Sequence, residues 1–143
     1  MNFASENFGV IWPRHVDGII RLLTSLRQAF GGDLDSVLIL AVIGSAALPQ
    51  GKLPPDLSYP EFTGGSDRDR YASPLNTNSI ADITGIPRES VRRKLLAMES
   101  KKWVQRGDNG YWEIGPNGAS DLQPMTDLSL EYLSSIAEVI RSA

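Results

Sequence analysis

The 143-residue chain contains no cysteine. That excludes disulfides and thiolate chemistry and removes the usual ligands of a structural zinc site. Histidine is nearly as scarce: His15 stands alone, too little for a histidine-based metal centre or triad, and it reads as a partly exposed helix residue. No Ser/His/Asp spacing, glycine-rich phosphate loop or metal-ligand cluster occurs. Asp33, Asp35, Asp67 and Asp69 read as capping and loop residues. The chain is therefore expected to be no enzyme, with no cofactor and no metal. Met1 to Trp12 lacks the basic stretch and apolar run of a signal peptide. The longest apolar run, Val37 to Ala47, interrupted only by Gly44 and Ser45, is about 11 residues, short of the roughly 20 that span a bilayer. It reads as a buried helix. A reducing cytoplasm fits these absences, and no membrane is expected as a partner.

What is present is an uneven charge distribution. The net charge is −3. Yet Arg88, Arg92, Arg93, Lys94, Lys101, Lys102 and Arg106 face only Glu89 and Glu99 between Ile86 and Arg106. One short basic stretch in an otherwise acidic chain fits a localised surface for a polyanion better than a uniformly charged protein would.

The length suits a single domain spanning 1–143 with one core. Trp12-Pro13 suggests a helix start, because proline is tolerated at the first helical position. Val16, Ile19, Ile20, Leu23, Leu26 and Phe30 then recur every three or four residues, predicting an amphipathic helix over 10–31 that ends at Gly31-Gly32. A second helix over 33–48 is apolar on nearly every side, which places it at the centre of the core. Residues 49–76 hold Pro49, Pro54, Pro55, Pro60, Pro74 and three glycines and read as a long loop, with Leu57, Tyr59, Phe62 and Tyr71 as anchors and Asp67 to Arg70 solvated. Gly115 to Pro124 reads as a linker. Thr126 or Asp127 would cap a last helix over 126–142, striped by Leu130, Leu133, Ile136, Ala137 and Ile140. The chain is thus expected to be mainly α with a small β-hairpin.

The informative segment is 77–114. Thr77 or Asn78 would cap a short helix ending at Gly85, which takes the left-handed conformation at little cost. Ile80 and Ala81 face inward, and Ile86 plugs the turn. Pro87 starts a second helix, about 87–101, whose Val91, Leu95 and Met98 fall at i, i+4 and i+7 and form its inner stripe. Two short strands, Trp103 to Arg106 and Tyr111 to Ile114, flank Asp108-Asn109-Gly110, where Asn-Gly suits a type I′ hairpin turn. Trp103, Tyr111 and Trp112 read as packing groups rather than base-stacking ones.

Ile-Ala, Thr-Gly-Ile and Val-Arg-Arg-Lys-Leu followed by a hairpin resemble the winged helix-turn-helix of bacterial transcription regulators. The flanking helices resemble the MarR-type arrangement, in which N- and C-terminal helices pair two subunits. These resemblances imply a winged helix-turn-helix with N- and C-terminal dimerisation helices. Members of such families often carry glycine just before the first wing strand. This chain has Lys102 there, which forces a less favoured backbone state or a different turn.

The resemblance implies a sequence-specific regulator of transcription bound to double-stranded DNA, with the helix at 87–101 in the major groove and the wing at 107–110 on the backbone or minor groove. Arg88, Glu89, Ser90, Arg92 and Arg93 would form the reading face, with Lys94 beside them. Thr77 and Ser79 would meet phosphate at a helix N-terminus. Arg106 and Asn109 would seat the wing. A homodimer through 10–31 and 126–142 is expected, and a small-molecule effector would sit between the dimer helices and the winged region. The alternative is a winged-helix protein-interaction module that meets an acidic partner without binding DNA.

Overall fold

The computed structural model describes residues 1–48, 53–64 and 75–142. It is mainly helical with one small two-stranded antiparallel sheet. The sequence suggests one domain around one core. The described residues instead gather into two compact units, one from Met1–Leu34 with Asp121–Ala143, the other from Asp35–Ser120.

The first unit holds α1 (Phe3–Glu6), α2 (Phe8–Ala29) and α8 (Gln123–Ser142). α2 starts before Trp12-Pro13, so Pro13 lies inside the helix rather than at its first position. A proline there has no N–H for Gly9, the residue four positions earlier, and removes one helical hydrogen bond. α2 ends as expected: Gly31 has φ +62°, and the Gly32 N–H reaches the Arg27 carbonyl at 2.8 Å. α8 begins three residues earlier than expected, with Pro124 tolerated in its first turn.

α2 and α8 run antiparallel. Arg14 Nη1 donates to Ser135 Oγ at 3.2 Å, and the next residue, His15, is hydrogen-bonded through Nδ1 to the Tyr132 hydroxyl. The Tyr132 ring lies directly on Gly18, where a methyl group would overlap it. Ile11 and Val139 are the buried residues of the two helices. The opposite stripe of α2 is also apolar: Phe8, Trp12, Val16, Ile20 and Leu23 are exposed, as are Leu130, Leu133 and Ile140 on α8.

The second unit holds α3 (Leu34–Ala46), α4 (Tyr59–Gly64), α5 (Thr77–Thr84), α6 (Arg88–Ser100), β1 (Val104–Arg106), β2 (Trp112–Ile114) and α7 (Gly118–Asp121). α3 is not buried all round. Ser36, Ile39 and Ile43 are buried on one face, while Leu34 and Leu38 are exposed. α4 lies in the segment expected to be a loop. It is held by the side chain of Ser58: Glu61 N–H donates to Ser58 Oγ at 3.3 Å, and Ser58 Oγ donates to Glu61 Oε1 at 2.7 Å. Leu57 and Phe62 are half-buried and Tyr59 is exposed. Pro49, Tyr71, Pro74 and the Asp67 to Arg70 run lie outside the described residues. α7 occupies part of the expected linker.

The core of this unit is formed by Ile39, Ile43, Leu75, Ile80, Ile86, Val91, Leu95, Met98, Trp103, Val104 and Trp112. The expected inner stripe of the second short helix, Val91, Leu95 and Met98, is buried throughout. Among the described residues no single helix is long and apolar enough to cross a membrane.

Candidate nucleic-acid interface

The site begins at the N-terminus of α5. Its cap is Asn76, one residue before Thr77 and two before Asn78, the expected caps. Asn76 Oδ1 accepts from Ser79 N–H at 2.8 Å and from Ser79 Oγ at 3.0 Å. Asn76 has the extended backbone an N-cap needs, whereas Thr77 is already helical. Thr77 Oγ1 accepts from Trp112 Nε1 at 3.2 Å. The Ser79 hydroxyl proton is thus held within the cap, and one lone pair of Thr77 is held by β2. The signal for Asn76 was its position three residues before Ser79, the Asx N-cap spacing.

Gly85, at φ +75°, ends α5, and the buried Ile86 fills the turn to Pro87, which is the N-cap of α6 rather than its first residue. Thr84 tightens the turn: its Oγ1 donates to the Ile80 carbonyl at 2.7 Å and accepts from Ile86 N–H at 3.2 Å.

Because Val91, Leu95 and Met98 are sunk into the core, the helix period turns Arg88, Glu89, Arg92 and Arg93 outward, and all four are exposed. Ser90 and Lys94 are half-buried flanks. Leu96, not among the expected site residues, is exposed as well. Glu89 and Arg92 form an ion pair one turn apart. Arg92 Nε donates to Glu89 Oε1 at 3.0 Å and Oε2 at 3.2 Å, and Nη2 also donates to Oε1. The hydrogen bond from Arg92, followed by its charge, holds the Glu89 carboxyl below the ordinary glutamate range, with Arg88 and Arg93 adding to the effect. The same bond and charge raise the Arg92 guanidinium above its usual value.

α6 ends in a Schellman motif. Trp103 N–H donates to the Met98 carbonyl at 3.1 Å and Lys102 N–H to the Glu99 carbonyl at 2.9 Å. Lys102 takes the left-handed position at φ +61°, the one described non-glycine residue with positive φ. Of the two outcomes expected here, a less favoured backbone state or a different turn, Lys102 shows the first. Asn117 N–H donates to the Lys102 carbonyl at 2.9 Å, and Gly115 packs on that carbonyl so closely that a side chain would overlap it.

β1 and β2 pair with Val104 opposite Ile114, Gln105 opposite Glu113 and Arg106 opposite Trp112. Each strand begins one residue later than expected, at Val104 and at Trp112. Trp112 N–H donates to the Leu75 carbonyl at 2.8 Å, so the chain entering α5 lies along the free edge of β2. The turn is not type I′, which needs positive φ at both Asn109 and Gly110; only Gly110 has it, at +81°. The Gly107 carbonyl accepts from Gly110 N–H at 2.9 Å, and Gly107 N–H donates to the Tyr111 carbonyl at 2.9 Å. This is the three-residue hairpin with a left-handed glycine last. Asn109 Oδ1 accepts from Tyr111 N–H at 3.0 Å, which turns that side chain to the support of the hairpin. Arg106 lies 4.7 Å over the Trp112 ring and remains exposed.

In the other unit a groove of about 470 Å³ runs between α2 and α8, bordered by Arg14, Asp17, Arg21 and Glu131. The chain matches no protein-family model, no curated protein and no solved structure.

Proposed function

We propose that residues 77–114 act as a winged helix-turn-helix that binds double-stranded DNA, α6 entering the major groove and the turn at 107–110 meeting backbone or minor groove, in a cytoplasmic regulator of transcription. The observation that carries this reading is the outward face of α6. Its buried stripe leaves Arg88, Arg92 and Arg93 on one exposed surface against a single carboxylate, Glu89. An α-helix fits the width of the major groove, and cationic side chains near its N-terminal end are placed for base edges and phosphates.

The protein works as a homodimer through α2 and α8. The support is the second apolar stripe of α2, from Phe8 to Leu23, together with Leu130 and Leu133 of α8. An antiparallel helix pair whose buried apolar residues are Ile11, Phe30 and Val139 has little core of its own, and a self-complementary apolar face is what a two-fold dimer uses. A small-molecule effector has no residue that identifies it.

The protein-interaction reading is favoured by one observation, the exposure of Ile83 and Leu96 on α5 and α6, since apolar surface serves a protein partner better than phosphate. Binding to random duplex DNA at several salt concentrations separates the two. Each phosphate contact contributes about −0.9 to the slope of log affinity against log salt. Arg88→Ala with Arg93→Ala is expected to flatten the slope and weaken binding. A wild-type protein with no duplex affinity at low salt leaves the protein-interaction reading standing instead.

A further inference from the structure

We propose that the Glu89–Arg92 pair is the sequence-reading element of α6 and that it selects a G·C base pair, an inference that rests on the DNA-binding reading above. Glu89 takes hydrogen bonds from Nε and Nη2 of Arg92, the side edge of the guanidinium. The end edge, formed by Nη1 and the remaining Nη2 hydrogen, points away from the carboxylate. Two parallel N–H groups on that edge match the O6 and N7 acceptors of guanine in the major groove. The two residues are second and fifth in α6, within the N-terminal part of a recognition helix that reaches base edges.

The pair also explains why a carboxylate stands on a face otherwise built for a polyanion. Holding an arginine in one rotamer removes part of the ordering cost that a free arginine meets on binding. The Glu89 charge meanwhile repels phosphate and lowers sequence-independent affinity, so a larger share of the binding free energy rests on the guanine contact. Arg88 and Arg93 supply the sequence-independent attraction, and Arg92 supplies discrimination.

The test is selection of bound duplexes from a random pool by the full-length protein, with affinities then measured for the selected site, for the same site with the chosen G·C pair replaced by A·T, and for random duplex. The wild type is expected to select one guanine per recognition helix and to prefer it by about 5- to 150-fold, the range of one good bidentate contact. Arg92→Lys keeps the charge but lacks the planar fork, and is expected to lose that preference while still binding random duplex. Glu89→Ala is expected to lower the preference and to bind random duplex as tightly as wild type or more tightly. Both side chains are exposed, and circular dichroism verifies that the variants fold. A G·C preference of unchanged size in Glu89→Ala overturns the proposal and leaves DNA binding intact. So does a uniform loss of affinity for every sequence, or a wild type that binds without preference. A wild type that binds no duplex overturns the DNA-binding reading, and this inference with it.

Discussion

Trp112 Nε1 donates to Thr77 Oγ1 at 3.2 Å across 35 residues of sequence. Its backbone N–H holds the Leu75 carbonyl, and its ring carries Arg106 at 4.7 Å. One buried indole therefore ties the second strand to the start of α5 and supports an exposed arginine on the facing strand. Trp112→Phe keeps an aromatic face and removes the donor. It is expected to cost about 1 kcal/mol, the net worth of a typical hydrogen bond, in denaturant unfolding. Trp112→Ala opens a core cavity and is expected to cost about 3–5 kcal/mol. Equal stability of wild type and Trp112→Phe would show that the indole N–H contributes nothing.

Lys102 occupies a left-handed position that a Schellman motif normally gives to glycine. A non-glycine residue there is strained by roughly 1–2 kcal/mol, partly offset by the smaller entropy it loses on folding. Lys102→Gly is expected to stabilise the protein by about 0.5–1 kcal/mol. The shift of the denaturation midpoint, followed by tryptophan fluorescence, measures it, and a destabilised variant contradicts the account.

Gly18 admits the Tyr132 ring against the α2 backbone. Gly18→Ala raises helix propensity by about 1 kcal/mol, yet its methyl group collides with the ring. The expected outcome is net destabilisation of the α2–α8 pair, with loss of the His15–Tyr132 hydrogen bond. Hydrogen exchange of α2 and α8 amides reads it, and increased protection would show that the ring moves aside freely.

The exposed stripe of α2 predicts association. Ile20→Glu with Leu133→Glu changes two residues that are more than half exposed, so the monomer fold is expected to survive. Sedimentation is expected to show a dimer for wild type and a monomer for the variant. A folded wild-type monomer at high concentration rules the dimer out.

The ion pair on α6 predicts a titration. Glu89 is held below the ordinary glutamate range, chiefly by its hydrogen bond from Arg92. A depressed carboxylate contributes its stabilisation above the ordinary pKa and loses it as pH falls through the lowered value. NMR of the Glu89 carboxyl is expected to show a midpoint below ordinary glutamates that rises in Arg92→Ala. An unchanged midpoint in that variant means the pair does not persist in solution.

Much of 77–114 was legible in the sequence because its signals are local. Gly85 between two apolar-periodic runs, the i, i+4, i+7 spacing of Val91, Leu95 and Met98, and Asp108-Asn109-Gly110 between short strands each fix a backbone feature within a few residues. Even the unusual state of Lys102 could be expected from its place between helix and strand. The outward set Arg88, Glu89, Arg92 and Arg93 follows from the same period. Ser58 and Glu61 carried a capping-box spacing that was readable, but the surrounding prolines pointed to a loop.

Other features required the tertiary structure. That Trp112 reaches Thr77, that Leu75 borders β2 and that Tyr132 rests on Gly18 depend on residues distant in sequence, and no local periodicity encodes them. The helix period placed Arg92 on the outer face, but side-chain rotamers decided that Glu89 takes its side edge and not its end edge. Periodicity likewise marked α2 as amphipathic, with Val16, Ile20 and Leu23 on its apolar stripe. Packing against α8 decided which stripe is covered and which remains exposed, because one partner helix can bury only one face.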